Sequence, residues 1–180
     1  MKIFNLALIS LLFVLFAFGA TMLSSSTSST QNSDYLRLHI RANSNLESDQ
    51  NIKFEIKNKL LNRISSNIAS ISSKEELEQF FLENKTKLEN FVDEILLENN
   101  FNYKSQIELK NEYFPARSYN NTTLQSGFYD AIIINLGSGE GNNWWCVAYP
   151  PLCFMYESNN LENITYKSKI IETINKFFNK

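Results

Sequence analysis

The sequence is short of the residues that most active-site chemistries need. One histidine, His39, stands in 180 residues. A histidine-based metal site and a two-histidine mechanism are therefore unavailable within one chain. Cys146 and Cys153 are the only cysteines, and their C-x6-C spacing is not that of a zinc site. Five glycines and three prolines are too few for a collagen-like or linker-type chain. Lysine and arginine form no run, and 17 basic against 19 acidic residues give a net charge of −2. A nucleic-acid-binding domain would carry a basic excess or stripe. No G-x-S-x-G, H-E-x-x-H, Walker or Asp-Thr-Gly stretch occurs. Neither a cofactor, a metal nor a small-molecule substrate is expected.

What is present divides into three parts. Lys2 precedes an apolar stretch from Ile3 to Leu23, with small residues at Ala17, Gly19 and Ala20. Residues 1–23 read as a signal peptide, cut after Gly19, or as an uncleaved anchor able to contact the membrane through residues 3–23. As a helix this stretch would reach about 31 Å, enough to span hydrocarbon. Either outcome exports the remainder. Residues 24–33 are Ser/Thr-rich and contain no apolar side chain, so burial cannot offset their ordering entropy and a flexible spacer is expected. Residues 34–180 then form a single domain.

Within it, Tyr35 to Ala42 alternates between Leu36, Leu38 and Ile40 on one side and Arg37, His39 and Arg41 on the other, a half-buried strand. Ile52, Ile56, Leu60, Ile64 and Ile68 recur every four positions and predict a helix from about Glu47 to Ala69. Ser73-Lys-Glu-Glu76 reads as a capping box that opens a second helix, ending near Glu98. Strands follow over Tyr103–Lys110, Phe128–Leu136 and Trp144–Tyr149, and a last amphipathic helix over about Lys167–Phe178. The expected fold is α+β. Two long antiparallel helices and a C-terminal helix pack on a mainly antiparallel sheet of about four strands.

Special residues concentrate between Gly137 and Phe154: three glycines, both tryptophans, both cysteines and Pro150-Pro151. The glycines allow a tight hairpin or a partner-binding loop. No lysine and no helix follows them, which disfavours a phosphate cradle. Adjacent Trp144 and Trp145 must face opposite sides of a strand, so one is expected in the core and one at a contact surface. In an exported chain the cysteine pair fits a disulfide; free core thiols and a nucleophilic Cys146 acting with His39 are the alternatives. Phe114-Pro115-Ala-Arg117-Ser-Tyr119 reads as a loop stiffened by Pro115, with Arg117 free to stack on either ring.

Several of these blocks carry a resemblance. Leu38-His-Ile-Arg41-Ala-Asn43-Ser44 with Asp49-Gln50-x-x-Lys53 resembles the opening of the stage II sporulation protein R family. Phe114-Pro115-Ala-Arg117-Ser-Tyr119 is similar to its middle motif. Gly127-x-Tyr129, the Gly137 to Val147 stretch and Pro150-Pro151-Leu152-Cys153-Phe154 are similar to its signature. The chain departs at Gln125-Ser126, where Pro-Ala would stand. The resemblance implies a protein made in the forespore and exported to the space between forespore and mother cell. There it would activate a membrane-embedded aspartic protease of the mother cell that processes the sigma-E precursor. The partner-binding candidates are Trp144, Trp145, Arg37, His39, Arg41, Asn43, Phe114, Arg117 and Tyr119. An exported cysteine-dependent hydrolase or transferase and a tethered structural protein of the septum are the competing readings.

Overall fold

A computed structural model describes residues 34–119, 122–154 and 164–179, with the backbone alone for residues 122 and 164–169. The expected export segment and spacer lie outside the described residues. Among those described, no helix is long and apolar enough to cross a membrane.

Strand β1 (Leu36–Arg41) is followed by helices α1 (Glu47–Ile68) and α2 (Lys74–Glu98). Strands β2 (Ser105–Phe114), β3 (Arg117–Tyr119), β4 (Thr122–Leu124), β5 (Gly127–Leu136) and β6 (Asn143–Tyr149) come next. A short 3-10 turn (Leu152–Phe154) and helix α3 (Ile164–Phe178) close the described chain. The main sheet has the order β2-β5-β1-β6. β1 is parallel to β5 and antiparallel to β6, and β2 is antiparallel to β5. The fold is therefore α+β with a mainly antiparallel four-stranded sheet.

The isoleucine stripe of α1 is buried throughout, from Ile52 to Ile68. α2 contributes Leu77, Phe81, Leu88, Val92, Ile95 and Leu96 to the same core. Each fully buried aliphatic side chain stabilises the fold by roughly 1.5–3 kcal/mol. At the start of α2 the Ser73 side chain accepts from the Glu76 backbone N–H. The return bond from Glu76 reaches Ser72 N–H at 2.7 Å, one residue upstream of a standard capping box. Both helices lie against the face that carries Leu38, Ile40, Ile132 and Ile134. Lys74 pairs with Asp130, Asp93 accepts from Ser105, and the Tyr149 hydroxyl donates to Ser72 O across this interface. α3 packs through Ile170, Ile174 and Phe177, the last against Tyr35 and Tyr149.

The opposite face corrects the expectation for β1. Arg37 and His39 are 0% and 3% exposed, so this strand is covered on both sides. The cover comes from an unexpected pair of strands. The loop expected over Phe114–Tyr119 is instead strand at both ends: β3 pairs with β4 and continues the β2–β5 hairpin in the same register, Phe114 opposing Gly127 and Arg117 opposing Leu124. Pro115-Ala116 and Gln125-Ser126 interrupt the ladder between the two parts. Pro115 has no N–H to donate, so pairing breaks and the ribbon bends there. Its end lies back across the sheet, with Phe114 and Tyr119 over Arg37 of β1 and Arg117 over Trp145 of β6.

Candidate functional site

Beneath the folded ribbon, the Arg37 guanidinium sits 4.5 Å from the Phe114 ring centroid, 5.0 Å from Tyr129 and 5.5 Å from Tyr119. Its Nη2 donates to the Tyr119 hydroxyl at 2.9 Å. Burial lowers its pKa, and the two tyrosines oppose that shift. One turn of the pleat along, His39 packs edge-on against Phe114 and at a tilt against Trp145, with ring centroids 5.7 and 5.5 Å away. Its Nδ1 lies 3.5 Å from Glu112, which also pairs with Arg41. Burial first, then the Arg41 charge, push His39 down to about 4 against the pull of Glu112, so the imidazole is neutral near pH 7.

The glycine loop is held by the residues that end β1 and begin α1. Ser138 N–H donates to Asn43 Oδ1 at 2.9 Å and the Ser138 hydroxyl to Asn43 O at 2.7 Å. Gly141 N–H donates to Ala42 O, and Asn142 N–H to Asn45 Oδ1. Buried Lys53 donates to Asn142 O and to Gln50 Oε1. Buried Asp49 accepts from Asn43, Ser44 and the Tyr103 hydroxyl. Burial raises the Asp49 pKa, but the hydrogen bonds from Ser44, Tyr103 and Asn43 together outweigh it, and the net shift is downward. The Asn43-Ser44…Asp49-Gln50-x-x-Lys53 block is thus a clasp that seats the loop. Gly141 is obligatory in it: a Cβ there would lie 2.2 Å from the Ser44 carbonyl oxygen. Gly137, at φ +58°, faces the Asn43 side chain equally closely.

β6 carries the loop into the aromatic pair. Trp144 and Trp145 do project to opposite sides, Trp144 toward Lys57 of α1 and Trp145 toward His39 and Arg117. Both are half-buried, so the expected division into a core indole and a contact indole is not seen. Cys146 is bonded to Cys153, with Cα atoms 5.7 Å apart. The bridge closes over Pro150-Pro151, whose Tyr149–Pro150 bond is cis. An eight-residue loop contributes about 2.5 kcal/mol by chain entropy. Reducing the bridge, or replacing both cysteines with alanine, is expected to lower the melting temperature by about 5–10 °C. Melts with and without dithiothreitol measure it; coincident curves would remove the staple from the stability account.

The bridge also decides what chemistry the site can do. Cys146 pairs with Leu38 and projects to the helix face, whereas His39 projects under the ribbon. With its sulfur bonded to Cys153, Cys146 offers no thiolate to a base. Among the described residues no cluster of histidine, cysteine and carboxylate could hold a metal. Of the nine partner-binding candidates, Arg37, His39, Phe114, Arg117, Tyr119 and Trp145 converge in one aromatic–cation stack, with Arg41 tied to it through Glu112. Asn43 belongs to the clasp and Trp144 to the helix side. Sequence reasoning missed Glu112 and Tyr129 as site residues; they oppose each other on β2 and β5, and Tyr129 reaches Arg37 as a diagonal neighbour across the β1–β5 pairing, which no local window shows.

Fold and site together define an α+β domain with a disulfide-stapled sheet, a seated glycine loop and a cluster of aromatic rings around two arginines. The chain belongs to the stage II sporulation protein R family, whose description matches residues 32–159. It is 34% identical over 124 residues to stage II sporulation protein R of Bacillus subtilis (strain 168). The aligned stretch is 69% of this chain and 55% of that relative, so the chain spans little more than half of the relative's length. No solved structure matches it.

Proposed function

We propose that this protein is an exported intercellular signal of endospore formation. It binds a membrane-embedded aspartic protease of the mother cell from the space between the two cells, and the protease then processes the sigma-E precursor. The carrying observation is the family match over residues 32–159, which runs from the residues before β1 to just past the disulfide turn. The surface supports a binding role. Arg117 lies 4.5 Å over the half-buried Trp145 ring beside a loop held by the clasp. Rigid aromatics with a stacked arginine suit interface hot spots because they lose little side-chain entropy on binding.

Co-expression of the chain with the protease and the sigma-E precursor, outside sporulation, tests this. Precursor cleavage is expected with the full chain and is expected to be absent when residues 1–23 are deleted, although the truncated chain still accumulates. Equal cleavage by the truncated chain would refute an action from outside the membrane.

A further inference from the structure

The sheet face under the ribbon carries more guanidinium than carboxylate. Glu112 answers Arg41, and Glu108 on the same face of β2 answers Lys110 at 3.3 Å. Arg37 and Arg117 pair with no carboxylate among the described residues. Arg37 is 0% exposed, and its Nε and Nη1 have no acceptor. Arg117 is exposed and lies two positions from Tyr119 on β3, on the same face of the strand. The phenol that accepts from Arg37 therefore has a second guanidinium as its neighbour along the strand. A buried guanidinium such as that of Arg37 is costly when no anion joins it. The rings of Phe114, Tyr119 and Tyr129 around Arg37 offset part of this. They do so through the face of the guanidinium, and the Nε and Nη1 donors in its plane stay unused.

We propose that Arg37 and Arg117 form a carboxylate-binding site that takes an acidic side chain of a partner's extended peptide when Tyr119 moves off Arg37. The site rests on the reading of this chain as a ligand for another protein, and it names the chemistry of that contact. A planar carboxylate matches the slot between the rings and can accept two in-plane N–H bonds from one guanidinium. The ribbon end is free to yield because its three-residue strands are separated from the main ladder at Pro115-Ala116 and Gln125-Ser126. Moving it breaks no β2–β5 ladder bond. Trp145, against Arg117, reports the event.

The full-length chain in neutral detergent is titrated with capped Ala-Glu-Tyr and with capped Ala-Gln-Tyr, reading tryptophan fluorescence. The glutamate peptide is expected to give a saturable change that added salt weakens, and the glutamine peptide none. Arg117→Gln, at an exposed position, is expected to weaken binding about tenfold, the equivalent of one charged hydrogen bond. Arg37→Met is expected to abolish binding, with a melt to establish that it folds. Arg63→Gln, stacked on Phe91 between the helices, leaves it unchanged. Equal responses to the two peptides, or an Arg117→Gln titration like the parent's, overturn the site. So does Arg117-dependent binding to phosphatidylglycerol vesicles without peptide binding, which assigns the pair to a lipid headgroup. None of these readouts needs the protease. Glutamate-selective binding together with undiminished precursor cleavage by Arg117→Gln would uphold the site and overturn its part in signalling.

Discussion

Alanine at Asp49 is expected to destabilise the domain by about 3–5 kcal/mol. The side chain is buried and accepts from Asn43 and Ser44 at 3.0 and 2.5 Å and from the Tyr103 hydroxyl at 2.6 Å. Removing it strands these donors, and hydrogen bonds to a charged group are worth about 1.5–3 kcal/mol each. Asn43 also holds Ser138, so the glycine loop loosens with the helix start. Chemical denaturation of Asp49→Ala beside Asp49→Asn measures the effect; a loss below about 1 kcal/mol for alanine would show that water replaces the carboxylate. The pH dependence has a matching sign. Asp49 is depressed below 3.8, so its contribution is complete above the unfolded value and disappears as pH falls through the folded one. His39 is also depressed, from 6.5 to about 4. The unfolded chain takes up that proton first, so stability falls as pH drops across this interval and levels off below it. Acid destabilisation should therefore begin near pH 6.5, and His39→Gln should remove the upper limb alone.

Gly141→Ala is the second large effect, expected at about 3–4 kcal/mol. The added methyl would meet backbone, the Ser44 carbonyl oxygen at 2.2 Å and carbon at 2.5 Å, and backbone cannot rotate away as a side chain can. The loop must lift. It takes with it the bonds from Gly141 N–H to Ala42 O, from Asn142 N–H to Asn45, and from Lys53 to Asn142 O. Lys53 is 1% exposed, so losing one of its two acceptors leaves a buried ammonium half-satisfied. Gly139→Ala is the comparison: its methyl would meet only the Asn135 side chain, at 3.1 Å, although φ +67° adds strain. If the two variants melt together, the Ser44 backbone is not the obstacle.

The elements with a strong period were legible. The four-residue isoleucine spacing of α1, the Ser73 cap and the β-branched run of β5 each express local physics that the tertiary structure reinforces. What could not be read was the second layer over β1. Alternating Leu36, Leu38 and Ile40 with Arg37, His39 and Arg41 has the pattern of a strand with one wet face. That face is dry because a ribbon far downstream bends onto it, with Arg37 and Tyr119 separated by 82 positions. Pro115 was visible as a stiffener. Its actual role, interrupting one ladder so that the same register resumes on the far side of a bend, depends on pairings that no local window contains. The clasp was invisible for a related reason. Asn43, Ser44, Asp49 and Lys53 look like ordinary helix-start polarity until the loop at Gly137–Asn142 supplies their partners.

The position of β1 in the sheet has a bearing on when the domain can form at all. It is the first strand made and lies between two of the last, Leu36 aligning with Asp130 on one side and Tyr149 on the other. A ribosome delivers this chain from its N-terminal end, so the helical hairpin can close early while its sheet waits. Until β5 has emerged, β1 has no strand to pair with, and its second side stays open until β6 follows. Such long-range closure makes folding slow. The segment from β1 to the end of α2 therefore holds its strand without a sheet partner until β5 is made, and the sheet takes its final width only with β6.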